Sequence, residues 1–161
     1  LNRKLIYSAK LIDLPGYSNK PDHIKERELL KAYFEEKATI TEFDNHVWKI
    51  HNQTKTEFLE AIDKHDLLIG YFNLADSIGH LSFGVTPKMD KVYQELDRLA
   101  EKTKTKAKDD TLLIISDHGM KPVGRYGDHN NNGFYSFNKK FGLNNPKITS
   151  FYNLIKKEAT K

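Results

Sequence analysis

Five residues in this chain have the types and spacing to do chemistry: Asp76, His80, Asp117, His118 and His129. They lie in three short pieces, Asp76-Ser77-Ile78-Gly79-His80, Ser116-Asp117-His118-Gly119-Met120 and Gly127-Asp128-His129. Carboxylates and imidazoles together are ligands for zinc or manganese, zinc binding both at roughly 2.0–2.2 Å. The 161 residues include no cysteine, so disulfides and thiolate metal sites are excluded. Two ions about 3.5–4 Å apart make a clamp for in-line displacement at phosphorus. One lowers the pKa of the attacking water or alcohol, and the other neutralises the leaving oxygen.

The spacing restricts how these residues can meet. Asp76 and His80 are four apart, so one helical turn would aim both at one ion. Asp117 and His118 are adjacent, and on an extended chain they would point in opposite directions. They can serve one ion only if the chain turns sharply, which Gly119 permits. His129 lies in a polar loop with Gly124, Gly127 and Gly133, able to fold back over the strand ends; that loop could instead turn Asp128 inward. Ser116 beside Asp117 and His118 is not a hydrolase triad, because nucleophile and orienting acid must lie on opposite sides of the imidazole. Asn130, Asn131 and Asn132 are candidates to orient His129 from behind. His23, His46, His51 and His65 have charged or polar neighbours and are expected on the surface. Lys121, Arg125, Lys139 and Lys140 are expected to be solvated rather than to bind substrate phosphate.

The elements that must position these residues are clearest in the second half. Asp66 to Ala75 is nearly continuously apolar and reads as a strand buried on both faces. The loop after it would carry Asp76 and His80. Pro87 opens a helix to about Lys106, with Met89, Val92, Tyr93, Leu96, Leu99 and Ala100 as a core stripe and Asp97 on the exposed side. A strand from Leu112 to Ile115 leads into Asp117 and His118. Strand, helix, strand implies a parallel sheet with a right-handed crossover, which gathers the loops at the strand ends. Earlier, Leu5-Ile6-Tyr7 and Leu11-Ile12 are short apolar runs. Asp22 is expected to cap a helix to about Glu36, with Ile24, Leu29, Leu30, Tyr33 and Phe34 as its apolar face. Thr39 to Asn45 is ambiguous, and Val47 to about Lys64 reads as a helix. Phe134–Phe137 adds a strand and Ile148–Lys157 a closing helix.

Composition bounds the class. With 38% hydrophobic and 30% charged residues, residues 1–161 fit one globular domain. No apolar run approaches a membrane span. A net charge of +4 is too mild to imply nucleic acid, and the aromatics are not interleaved with the lysines as a stacking platform requires. The lack of cysteine and of a signal-peptide pattern at the start is what a cytoplasmic chain would show.

Together the three motif pieces, two of them after apolar strands and with an amphipathic helix between, resemble the alkaline phosphatase superfamily. Within it, the type I phosphodiesterase/nucleotide pyrophosphatase branch is the most similar. The likeness runs from about Asp66 to His129, more weakly through Phe151. It implies an α/β fold, a three-layer α/β/α sandwich with a mainly parallel sheet. It implies two divalent ions, zinc first and manganese or magnesium as alternatives. The equivalents of Asp76, His80 and His129 hold one ion, and those of Asp117 and His118 hold the second. The second ion also takes an early Asp and a Thr or Ser nucleophile. Only 75 residues precede Asp76, and the first residue is Leu1. The chain is therefore expected to be the carboxyl-terminal part of a larger catalytic domain, with an incomplete sheet and an edge to cover. Asp13 with Thr39 or Thr41 is the compressed alternative for the nucleophile region. The implied reaction is hydrolysis of a phosphate ester or diester by attack of an alkoxide on phosphorus, then hydrolysis of the phosphoenzyme. Expected partners are a phosphate ester or nucleotide-like substrate and either the missing amino-terminal half or a second copy. The alternatives are a phosphotransferase similar to phosphoglycerate mutase, and a non-catalytic module that binds metal or a partner. A sulfatase is disfavoured, since those of the superfamily use a modified cysteine.

Overall fold

The structure, a computed structural model, describes residues 9–12 and 20–160. Strand β1 (Ala9–Ile12) pairs in parallel with β2 (Leu67–Gly70), Ile12 opposite Gly70. Helices α1 (Pro21–Phe34) and α2 (Ile40–Ala61) make the crossover between them. Pro21 sits in the first turn of α1, where its missing N–H costs nothing, and Lys20 is the N-cap. Asp22 is therefore an acidic first-turn residue, not the cap. The ambiguous stretch from Thr39 to Asn45 resolves into the start of α2. Thr39 Oγ1 accepts from the Glu42 N–H at 3.2 Å, and the Glu42 carboxylate accepts from the Thr39 N–H at 2.7 Å. This reciprocal box satisfies two donors that would otherwise be orphaned at the helix start.

The expected long strand from Asp66 to Ala75 stops at Gly70. Helix α3 (Leu74–Ser82) begins four residues later and carries Asp76 and His80, which are thus helical rather than in a loop. The reason is period. Leu74, Ile78 and Leu81 fall at helical spacing, and all three are fully buried against Phe43 and Val47 of α2 and against Met89 and Val92 of α4 (Thr86–Ala107). Each such side chain contributes roughly 1.5–3 kcal/mol on burial. Nine residues are thereby anchored along one face, leaving Asp76 and His80 on another. Tyr93 falls off the α4 stripe and is half exposed.

Strand β3 (Leu113–Ser116) pairs antiparallel with β6 (Phe134–Phe137), and β4 (Gly119–Val123) forms an antiparallel hairpin with β5 (Tyr126–Asn130). Helix α5 (Ser150–Ala159) follows. The chain is mixed α/β, as expected. The described strands form three two-stranded sheets, and β2 and β3 do not share one. The expected strand–helix–strand parallel unit through α4 is therefore not seen among them; the parallel pair is β1–β2. No helix among the described residues is long and apolar enough to cross a membrane. Leu5-Ile6-Tyr7 and Asp13 lie outside the described residues.

Two histidines expected on the surface are buried, His23 and His51. His51 shares the inner face of α2 with Phe43, Val47, Ile50 and Thr54, where helical period outweighs its polar neighbours in sequence. Its Nε2 lies 3.3 Å from Glu95 on α4, and its ring meets Trp48 and Phe72 edge-on.

Candidate metal centre

Three elements converge on one carboxylate oxygen. On α3, Asp76 and His80 are one turn apart, with His80 Nε2 3.5 Å from Asp76 Oδ1. On β5, residues 127 and 129 share a strand face. That face packs on α3 and brings His129 Nε2 to 3.1 Å from both Asp76 Oδ1 and His80 Nε2. At the end of β3, Ser116 Oγ donates to the His118 carbonyl at 2.6 Å and folds the chain back on itself. This is the sharp turn that adjacent ligands require. His118 Nε2 then lies 3.7 Å from Asp117 Oδ1 and 3.9 Å from Asp76 Oδ1. The His118 and His129 rings stack at 3.8 Å. Asp76, His80, His118 and His129 come together around Asp76 Oδ1, Asp117 reaches the group only through His118, and His129 rather than Asp128 points inward. Asp128 is exposed; the His129 N–H and the Lys121 ammonium, 3.4 Å away, hold its carboxyl below the usual range.

The donor set fits a cation. His80 Nδ1 lies 3.3 Å from the Gly127 carbonyl and His118 Nδ1 3.1 Å from the Gly119 carbonyl. A carbonyl can only accept, so each Nδ1 carries a proton, which leaves Nε2, the nitrogen on the Asp76 side, as the one available to a metal ion. Such backbone bonds behind ligating imidazoles are the usual way their orientation is fixed. Among the described residues, Asp76, His80 and His129 form a three-ligand group whose donor atoms all lie within 4.8 Å of one another. Asp117 is less enclosed, its side chain 75% exposed.

Two glycines allow this approach. A Cβ on Gly79 would run into Met120 Sδ, and a Cβ on Gly127 would lie 2.7 Å from the Gly79 carbonyl oxygen and 2.8 Å from Phe83 Cβ. Helix and hairpin can therefore touch backbone to backbone beside the ligands.

Other candidates fall away from the centre. Thr39 Oγ1 is engaged with Glu42. Asn130 Oδ1 accepts from the Asn132 N–H, and the orienting contacts on His80 and His118 come from the backbone carbonyls instead. Lys139 donates to Thr111 Oγ1 at 3.1 Å. A supporting group behind α3, Glu26 with Asn73 and Ser77, has no signal in the sequence, since its members are 47 and 51 residues apart.

Residues 6–145 match the type I phosphodiesterase / nucleotide pyrophosphatase family, and the chain belongs to it. Over 91 residues, 56% of the chain, it is 36% identical to GPI ethanolamine phosphate transferase 2 of Yarrowia lipolytica (strain CLIB 122 / E 150). The matched stretch is 10% of that relative's length. No solved structure matches the chain.

Proposed function

We propose that this chain forms the metal-binding part of a catalytic domain that transfers or hydrolyses phosphate esters. Asp76, His80 and His129 would hold one divalent ion, and Asp117 and His118 would contribute to a second. Zinc suits the nitrogen-rich set best. The observation that carries this is the convergence of three imidazole Nε2 atoms on Asp76 Oδ1, with the Nδ1 atoms of His80 and His118 facing backbone carbonyls. When bound, such ions supply charge neutralisation at the phosphoryl oxygens and activation of the nucleophile. The chain's own residues fix the ligand geometry. The β3 turn delivers Asp117 and His118 together, the β4–β5 hairpin delivers His129, and α3 delivers Asp76 and His80.

Family membership supports phosphoryl chemistry, and the relative's name supports transfer as well as hydrolysis. Because Thr39 caps a helix, the nucleophile is sought at Thr41 or outside this chain. In the whole domain, β1, β2 and β3 would belong to one sheet of a three-layer sandwich.

Zinc stoichiometry and affinity, measured on the wild-type chain, His80→Ala and Asp117→Ala, test the proposal, with turnover of a chromogenic phosphodiester followed alongside. His80→Ala should weaken the tighter ion by more than the ~10–100-fold that loss of an outer partner costs. Asp117→Ala should remove the weaker ion and spare the tighter one. A wild-type chain that takes up no zinc at neutral pH would sink the reading.

A further inference from the structure

We infer that Glu26 is a positioning residue for the metal centre: from α1 it grips the first turn of α3 and so aims Asp76. The inference rests on the metal reading above. Asn73 is the residue before α3, yet its side chain makes no capping bond. Its Nδ2 instead donates to both carboxylate oxygens of Glu26, at 3.1 Å each, and lies 2.9 Å from Ser77 Oγ. Ser77 Oγ donates to Glu26 Oε1 at 2.5 Å. The Glu26 side chain is only 14% exposed and Ser77 is buried. His23 Nδ1 stands 3.6 Å from the same carboxylate. A largely enclosed carboxylate with two neutral donors, set at the positive end of a helix, is favourably placed.

Geometry gives this placement a function. Asn73 and Ser77 bracket Asp76, and both are tied to α1. On the core side, the other anchors of α3, Leu74, Ile78 and Leu81, are apolar contacts without direction, and the close approach at Gly79 lies towards the far end of the helix. Helical side-chain ends lie about 5–6 Å from the axis, so a rotation of about 10° moves them by about 1 Å. Metal–ligand distances tolerate about 0.2 Å. Asp76 Oδ1 is the atom that His80, His118 and His129 all approach, so the azimuth of α3 decides whether the set closes.

Glu26→Gln tests this directly, because its amide offers one acceptor where the carboxylate offers two and sets a donor against Asn73 or Ser77. Glu95→Gln is the control. It removes an equally enclosed carboxylate, 17% exposed, that ties α2 to α4 through Lys55 and His51. Zinc affinity is read at low temperature, with every variant folded, by competition with a chromophoric chelator, and thermal midpoints are recorded. Zinc should bind about 10-fold more weakly or worse to Glu26→Gln, in the range set by loss of an outer partner, and within about twofold of wild type to Glu95→Gln. Equal affinity in Glu26→Gln and wild type, or an equal loss in both variants, would overturn the inference. A wild-type chain without zinc would instead overturn the metal reading and this inference with it, and the two failures are told apart by the wild-type titration alone.

Discussion

A single methyl group at Gly127 should open the metal centre. Residue 127 lies on the face of β5 that carries His129, and its Cβ position is 2.7 Å from the Gly79 carbonyl oxygen. An ordinary contact begins near 3.4 Å, so helix and hairpin must part by about 0.7 Å (3.4 − 2.7). Met120 could swing aside, being flexible. The Gly79 carbonyl cannot, because it accepts the N–H of Phe83, the residue that caps the carboxyl end of α3, at 2.9 Å. Overpacking of this kind costs about 1–3 kcal/mol. The larger effect falls on His129, two residues along the same strand. A displacement of that size is several times the ~0.2 Å that metal–ligand distances tolerate. It also pulls the Gly127 carbonyl away from His80 Nδ1. Gly127→Ala should therefore weaken zinc binding by at least the ~10–100-fold that follows loss of an outer partner. Gly142→Ala is the comparison: its φ of +64° makes alanine unfavourable, but no atom lies near the added methyl. It should lower the thermal midpoint and leave zinc affinity alone. Chelator competition and a melt on both variants decide the matter. A Gly127→Ala chain that binds zinc within about twofold of wild type would show that the approach of α3 and β5 does not hold the ligands together.

Thr39→Ala should cost about 0.5–2 kcal/mol through loss of the α2 cap, with zinc binding and any phosphodiester turnover unchanged; lost turnover in a folded variant would restore Thr39 as nucleophile. His51 gives a pH signature. Burial pushes its pKa below the usual histidine value, against the pull of the hydrogen bond to Glu95, so the folded state prefers it neutral. Its stability contribution is thus complete above about pH 6.5 and is lost as pH falls through the lowered folded-state value. His51→Gln should flatten the fall in thermal midpoint below pH 6.5, and an unchanged slope would refute the assignment. Glu95 titrates in a separate, lower window. Burial raises its pKa, but bonds from Lys55 and His51 outweigh that and hold it below the ordinary glutamate value.

The proposed ligand set can be read in the sequence because its constraints are local. The four-residue step from Asp76 to His80 needs only a helix, and the Asp117-His118 pair needs only a turn next to a glycine. The turn is made by a bond that spans two residues, from Ser116 Oγ to the His118 carbonyl. What is not legible depends on partners distant in sequence. An apolar run from Leu67 to Ala75 is consistent with a strand throughout, and only the core of Phe43, Val47, Met89 and Val92 selects a helix from Leu74 onward. Sheet pairing is equally hidden, since the apolar run of β3 does not reveal that Phe134–Phe137 lies alongside it. His23 and His51 illustrate the same limit. Their neighbours in sequence are polar, and their burial is decided by which face of the helix they occupy.

The two halves of the centre differ in what the described chain gives them. Asp76, His80 and His129 come from a helix and a hairpin in close backbone contact at Gly79 and Gly127, with α3 further tied to Glu26, so their mutual geometry is set by elements the described chain itself supplies. Asp117 and His118 come from one turn, and Asp117 is largely exposed. Two donors leave most of a divalent ion's coordination positions to water or to other groups. A site of that kind binds weakly alone and gains most from whatever supplies the rest, whether an additional protein ligand or substrate oxygen. The tighter ion should accordingly report on α3 and β5, and the weaker one on the environment the turn at Asp117 faces. An order of filling in which the Asp117 side saturates first would contradict this division.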